Sequence, residues 1–325
     1  MDKKIIKNTT NAYIICKGGV FILQSFIFDY YGYNVDKLDN NTFIFKGYTF
    51  LLIKIDDSEE EVNKLNSLIN SLSYNFNNDV VYIVKNKYDQ YVSSFNDGQI
   101  CILAYKNTNI NISDYMKMHS TYLNSFSYSV NIHDIIALWD QRLEYIQNQC
   151  LINLNFDNES HLILYKFTQY SVGLALNSLQ YLKDITIDFN RISYNATLTH
   201  RRIKNINKYE LFNPFNLIID HSSRDLAELY KNDLIDFNTL INITTYFNYT
   251  VDEYEYLLAR LLYPTFIFDI LEDLYNEKTN YDYTNQICMA INKQKKAIIK
   301  LKEYYENIYQ YITIRPIDWI KEIII

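Results

Sequence analysis

Glycine and proline are scarce in this chain, at 6 and 3 of 325 residues. So few turn formers exclude a sandwich or barrel dense in tight turns. Cysteine is scarce as well. Cys16, Cys101, Cys150 and Cys288 stand far apart with no C-x-x-C spacing, so neither a metal nor a redox motif is indicated. Reduced, partly buried thiols are expected. No apolar run reaches the ~18 residues that a membrane span requires. Positive charge is not in excess. The formal net charge is −7, which argues against nucleic acid as the main partner, because phosphate neutralisation needs concentrated Lys and Arg. The opening "MDKKIIKNTTNAYIICKGGVFILQSFIF" begins with lysines and turns apolar, but Gln24 interrupts the run and no small-residue cleavage site follows. It does not read as a signal peptide, and synthesis and folding in a cytoplasm are expected.

What is present is globular. Hydrophobic residues make up 48% and charged residues 21%, enough for one large domain or two modest ones with cores of their own. The 32 tyrosines, with abundant Asn, Ile and Lys, read mainly as the output of an AT-rich genome.

Residues up to about 110 carry strand signals. "NTFIFKGYTFLLIKI" is two apolar, aromatic-rich runs split by Lys46-Gly47, a hairpin pattern. "DDSEEEVNKLNSLINSL" reads as a helix, with acids in its first turn and Val62, Leu65, Leu68, Ile69 and Leu72 at helical spacing. "VVYIVKN" and "QYVSSFNDGQICILAY" read as further strands, with Asn96-Asp97-Gly98 as a turn. These signals predict a mainly antiparallel five-stranded sheet with one helix over residues 1–105.

A helical region over 106–325 follows a boundary near residues 104–112. "NIHDIIALWDQRLEYIQNQ" has Asn131 as its cap and Ile132, Ile135, Trp139, Leu143 and Ile146 on one face. "SHLILYKFTQYSVGLALNSLQYLKD" reads as one long buried helix. Pro264 should kink or divide "VDEYEYLLARLLYPTFIFDILEDLYN". The apolar faces predict burial of Trp139, Tyr170, Leu174, Tyr181, Leu226 and Leu261.

The stretch "NATLTHRRIKNINKYELFNPFNLIIDHSSRDLAEL" resembles a phosphotransferase catalytic region with its central residue changed. Kinase-type loops follow H-x-D-x-x-x-x-N, in which the Asp takes the proton of the attacking hydroxyl and the Asn holds magnesium. Here His200 is followed by Arg201 and Arg202, then by Asn207; the apolar run Leu217, Ile218, Ile219 delivers Asp220, where such folds place a second metal-binding Asp. The frame fits at His200, Asn207 and Asp220 and fails at Arg202. A guanidinium stays protonated at any relevant pH and cannot act as a base. Arg202 should instead pair with an internal acid, Asp220 being the first candidate, or bind a phosphate.

Other candidates follow. Asn207 and Asp220 are the positions for a metal, Asp220 also reading as a loop residue capping nearby backbone. His221 reads as a hydrogen-bonding neighbour. Lys54 ends "FLLIKI" like the phosphate-pairing Lys of a V-A-I-K strand, and Glu59, Glu60 and Glu61 are its possible partners. Lys54, Asn207 and Asp220 are thus the nucleotide-binding set, if one is retained; the plainer reading of Lys54 is an outward side chain on a strand. Gly18-Gly19 makes no G-x-G-x-x-G and reads as a hairpin turn. Arg224 and Asp225 read as structural: Ser222 or Ser223 caps a helix, Asp225 anchors the His200 loop and Arg224 is its charge partner. His119, His133 and His161 lack ligand spacing.

Five stretches in order, "LWDQRLEYI", "YSVGLALNSLQYLKD", "LTHRRI", "DHSSRDLAELYK" and "RLLYPTFIFDILEDLYN", resemble the spore-coat-associated kinase-like proteins of endospore-forming bacteria, in the YutH-type branch of the CotS family. The resemblance implies an α+β, two-lobed protein-kinase-like fold akin to aminoglycoside and choline phosphotransferases, often degenerate in its catalytic residues. It also implies a place in the spore coat and partners among coat or other sporulation proteins.

Two readings follow. One is a pseudokinase scaffold with no catalytic residue and no cofactor. The other is an atypical phosphotransferase using ATP and magnesium on a small molecule or coat protein. A further reading, tyrosines cross-linked oxidatively in a coat, competes with base composition as the reason for their number.

Overall fold

The computed structural model describes residues 20–39, 41–96, 98–123, 125, 129–276, 283–317 and 319–320. Its elements run α1 (Val20–Tyr31), β1 (Thr42–Phe45), β2 (Tyr48–Ile55), α2 (Glu59–Asn75), β3 (Tyr82–Val84), β4 (Ser93–Phe95), β5 (Gly98–Tyr105), α3 (Ile112–Tyr122), β6 (Val130–Asn131), α4 (Ile132–Tyr145) and α5 (Glu159–Asp188). Then follow β7 (Ser193–Tyr194), β8 (Thr197–His200), α6 (Lys208–Phe212), β9 (Leu217–Asp220), α7 (Ser223–Lys231), α8 (Phe237–Tyr246), α9 (Val251–Leu262), α10 (Thr265–Asn276) and α11 (Thr284–Ile308). The chain separates into two compact units, Met1–Tyr115 with Ile206–Leu217, and Met116–Asn205 with Ile218–Ile325. The division expected near residue 105 thus lies at Tyr115, and a later segment carrying Asn207 and α6 returns to the first unit.

The first unit is built on an antiparallel sheet in the order β1-β2-β5-β3, with β4 also paired to β5. The β1–β2 turn puts Lys46 at φ 47° and Gly47 at φ 79°, two successive left-handed residues. That is the turn whose twist suits a tight hairpin, and Gly47 takes it without strain. One helix was expected over residues 1–105, and two are present among the residues described there. The apolar run beginning at Val20 forms α1, because Leu23, Phe26, Ile27 and Tyr31 recur at helical spacing. They bury against Phe43, Phe50, Leu52, Ile100 and Ile102. Ser58 and Glu61 close a reciprocal capping box at the start of α2, whose Val62, Ile69 and Leu72 are fully buried. Gly18-Gly19, Cys16 and Asp97 lie outside the described residues.

Helices dominate the second unit. The 30-residue α5 packs on α4, α9 and α11, and the Ser178 hydroxyl donates to the Ala259 carbonyl at 2.6 Å to fasten it to α9. Pro264 divides the long apolar tract: Tyr263 is extended (φ −68°, ψ 122°) and α10 starts at Thr265. Trp139, Leu174, Tyr181, Leu226 and Leu261 are buried. Tyr170 is not; it is 43% exposed. In its turn of α5, Thr168, Ser171 and Val172 face inward and carry the burial that Tyr170 was expected to carry. Cys101 and Cys150 are buried free thiols and Cys288 is exposed. No described helix is long and apolar enough to cross a membrane.

Truncating a buried leucine removes its transfer energy and leaves a cavity, so Leu174→Ala and Leu226→Ala should each cost about 2–5 kcal/mol in urea unfolding. Tyr170→Ala should stay within about 0.5 kcal/mol, as exposed positions do.

Candidate functional site

The loop that follows β8 is held at four successive residues. Its first anchor is Asp225, fully buried in the first turn of α7. Asp225 accepts from the His200 backbone N–H at 2.7 Å, from His200 Nδ1 at 2.7 Å and from His119 Nε2 at 2.9 Å. An ionised carboxylate only accepts, so both rings present N–H to it and their tautomers are set. Burial by itself raises the Asp225 carboxyl; the His200 and His119 contacts outweigh it and hold the group well below the usual carboxylate range.

Arg224 is the second anchor. It donates from Nε to the His200 carbonyl at 2.8 Å and from Nη2 to the Arg201 carbonyl at 3.3 Å. Its third contact, Nη1 to Asp220 Oδ2 at 3.0 Å, corrects the expected pairing with Asp225. Asp225 is served by histidines, and Arg224 belongs to Asp220, four residues back at the end of β9.

Arg202 supplies the third anchor, and its partner also differs from expectation. Its Nε and Nη2 donate to Asp269 Oδ2 and Oδ1 at 2.7 and 2.6 Å, a two-point contact with α10 rather than with Asp220. Arg142 of α4 joins the same cluster, with Nη2 on Asp269 at 2.6 Å and Nε on Glu272 at 2.7 Å. Burial opposes ionisation of Asp269, but Arg202 and then Arg142 prevail and depress its pKa strongly. The fourth anchor is Asn232, whose amide donates to the Ile203 carbonyl at 2.9 Å.

Asp220 ends β9 with both oxygens engaged. Arg260 Nη2 reaches Oδ1 and Oδ2 at 2.7 and 2.8 Å, Arg224 takes Oδ2, and the His221 backbone N–H donates to Oδ1 at 2.7 Å. Arg260 comes from the apolar helix α9 and is itself seated on the Tyr256 ring at 4.7 Å. Burial raises the Asp220 carboxyl, and Arg260 and Arg224 more than reverse that. A magnesium ion at Asp220 would have to displace two guanidinium groups, so the residues present do not fit a metal there. Among the described residues no group of His, Cys, Asp and Glu is arranged to hold a metal ion.

The remaining candidates are committed elsewhere. Asn207 caps α6, accepting from the Glu210 N–H at 2.9 Å. Lys54 is exposed on β2 with its stem lying over Gly98, which has no side chain to obstruct it. The three acids named as its partners are occupied. Glu59 accepts from the Tyr91 and Val92 N–H groups at 3.0 and 2.8 Å, Glu60 pairs with Lys64 at 2.7 Å, and Glu61 completes the capping box. The Lys–Glu pair of an active kinase strand is therefore not formed with these residues. His221 is buried between Ser223, Glu253 and three tyrosine rings. Ser222 stands at the cap position of α7, but its hydroxyl is bonded to that of Tyr249 at 2.7 Å and makes no cap bond.

Asp269, Glu272, Arg142, Arg260 and the His119–Asp225 contact were not foreseen. A signal for three of them was in the sequence. Arg260 in "EYLLARLLY" and Asp269 and Glu272 in "TFIFDILEDLY" are charges set in apolar helices, and such charges are rarely buried without a partner.

Residues 24–310 match the family described as spore coat putative kinase YutH. No curated protein matches the chain. Among solved structures, an aminoglycoside phosphotransferase from Alicyclobacillus acidocaldarius is similar at 10% identity and TM-score 0.52, covering 93% of this chain and 98% of its own. A spectinomycin phosphotransferase solved with ADP and spectinomycin is similar at 11% identity and TM-score 0.53, covering 86% and 97%. At these identities the likeness establishes the fold: α+β and protein-kinase-like.

The geometry makes Arg202 and Asp269 one unit. Arg202→Met and Asp269→Asn should each cost about 2–4 kcal/mol, because each leaves a partly buried charge without its partner. A double-mutant cycle between them should show coupling of about 1–3 kcal/mol, whereas Arg202→Met with Asp220→Asn should be additive within about 0.5 kcal/mol. Acid unfolding offers a second test. Asp225, Asp269 and Asp220 are all depressed in the folded state, whereas an unfolded Asp titrates near about 3.9. Their contribution is whole above that pH and is lost as pH falls through the folded values. Stability measured by urea titration should therefore hold down to about pH 5 and fall steeply below about pH 4. Asp225→Asn should flatten that fall.

Proposed function

The chain belongs to the spore-coat YutH family, and we propose that it works there as a pseudokinase: a kinase-shaped interaction protein that transfers no phosphate and requires neither ATP nor magnesium. One observation carries this reading. At the position of the catalytic base stands Arg202, locked onto Asp269 by two hydrogen bonds. A guanidinium cannot accept a proton from a hydroxyl, and acid–base participation is commonly worth about 10²–10⁴-fold. The salt bridge also keeps the cation from serving as a mobile phosphate ligand, since Asp269 already neutralises it. The double grip on Asp220 supports the same reading, because it removes the carboxylate that a metal would need.

On this proposal the protein is made in the cytoplasm and delivered to the coat, where its partners are coat or other sporulation proteins. The unusual number of tyrosines needs no cross-linking role. Tyr115, Tyr194, Tyr230, Tyr256, Tyr304 and Tyr305 are fully buried and are used as core side chains.

Thermal unfolding with and without magnesium and ATP tests the proposal, because a ligand at 100 times its dissociation constant adds about 2.7 kcal/mol. No shift in Tm and no ATP turnover are expected from the wild-type protein. Turnover that Asp220→Ala abolishes would overturn the reading in favour of an atypical ATP-dependent transferase.

A further inference from the structure

The second unit contains a cavity of about 360 Å³ whose lining is Lys204, Asn205, Lys231, Asn232, Lys293 and Lys296. Four lysines and two asparagines line it, the Lys293 ammonium lying over the Phe266 ring, and no Asp or Glu is among the lining residues. In a chain of net charge −7, such a concentration of one sign is not what average composition supplies. The size falls within the range of small-molecule sites, about 300–1,000 Å³.

The lysines come from three places: the loop just past Arg202, the C-terminal end of α7, and α11. Lys204 and Lys296 are exposed, Lys293 is half-buried, and Lys231 is 3% exposed at the base. Lys231 Nζ donates to the Tyr263 carbonyl at 2.7 Å, which fixes the ammonium in place. An ammonium has three N–H donors, and this contact commits one. The charges around it are Glu228 on its own helix, Arg202 past β8, Arg260 of α9 and Asp269 of α10. Asp269 is held by Arg202 and Arg142, so it does not neutralise the pocket. Burial pushes Lys231 down to about 7, and an incoming anion would keep it charged.

We propose that this cavity is a binding site for a small, compact polyanion, bearing phosphoryl groups or clustered carboxylates. Lysine acts as a strongly hydrated point charge without a fixed fork, so the site selects charge density rather than planar shape. Asn205 and Asn232 line the same wall, although the Asn232 amide is already engaged with the Ile203 and Glu228 carbonyls. Through the Asn232–Ile203 bond the pocket wall is continuous with the loop that Arg202 anchors. The site therefore gives the scaffold a ligand that bears on that loop without any catalysis. It does not depend on the pseudokinase reading, because none of its lining residues is at the base or metal positions.

Calorimetric titration of the full chain with pyrophosphate and with citrate, in magnesium-free buffer at low salt, tests this directly. Binding is expected from at least one probe, and which one distinguishes a phosphoryl from a carboxylate ligand. The double variant Lys204→Ala/Lys296→Ala removes two exposed side chains and should melt like the wild type. Its affinity should fall by about tenfold or more, and rising salt should weaken wild-type binding in parallel. Lys295→Ala, exposed on the same helix and outside the lining, should change nothing. If neither probe binds, or if the double variant binds as well as the wild type, the site is refuted. ATP turnover plays no part in the readout, so this result and the test of the pseudokinase stand apart.

Discussion

A charge removed from water must be met by an opposite charge or by hydrogen bonds. In this protein that constraint is concentrated on Arg202 and Asp220. Each is a partly or fully buried charge, and each is neutralised from within. Asp269 meets the guanidinium and Arg260 with Arg224 meets the carboxylate. The residues that do this sit on α4, α7, α9 and α10, so the helical unit is organised around satisfying them.

Two charges are met separately. Asp269 takes the Arg202 guanidinium, and Arg260 and Arg224 take the Asp220 carboxylate. Either charge without its own partner would be isolated and buried, which costs several kcal/mol. The paired arrangement removes that cost, and Arg142 and Glu272 extend it so that the Asp269 cluster has two cations facing two anions. The His119–Asp225–His200 contact is different in kind. It orients a loop through backbone and ring donors.

The lysine cavity lies at the edge of this network. The same loop that is fastened on one side by Asp225, Arg224 and Asp269 supplies Lys204 and Asn205 to the cavity wall. A loop closed on one side by ion pairs can thus still present charge on the other.

Local signals in the sequence settled much of the architecture. The Lys46-Gly47 hairpin, the acid-rich first turn of α2, the Asn131 cap and the break at Pro264 depend on neighbours a few residues apart, and all four are in the structure. That residue 202 cannot act as a base was equally plain, because it follows from the chemistry of arginine alone. The α1 helix was not read from the sequence: an apolar aromatic run serves a buried helix or a strand equally well until a sheet is there to receive one face. Asp225 was read correctly as the anchor of the His200 loop, but the partners of Arg202 and Asp220 were not legible. Asp269 lies 67 residues from Arg202 and Arg260 lies 40 from Asp220. Charge complementarity has no sequence period, so only the packing of helices against one another decides which arginine finds which carboxylate.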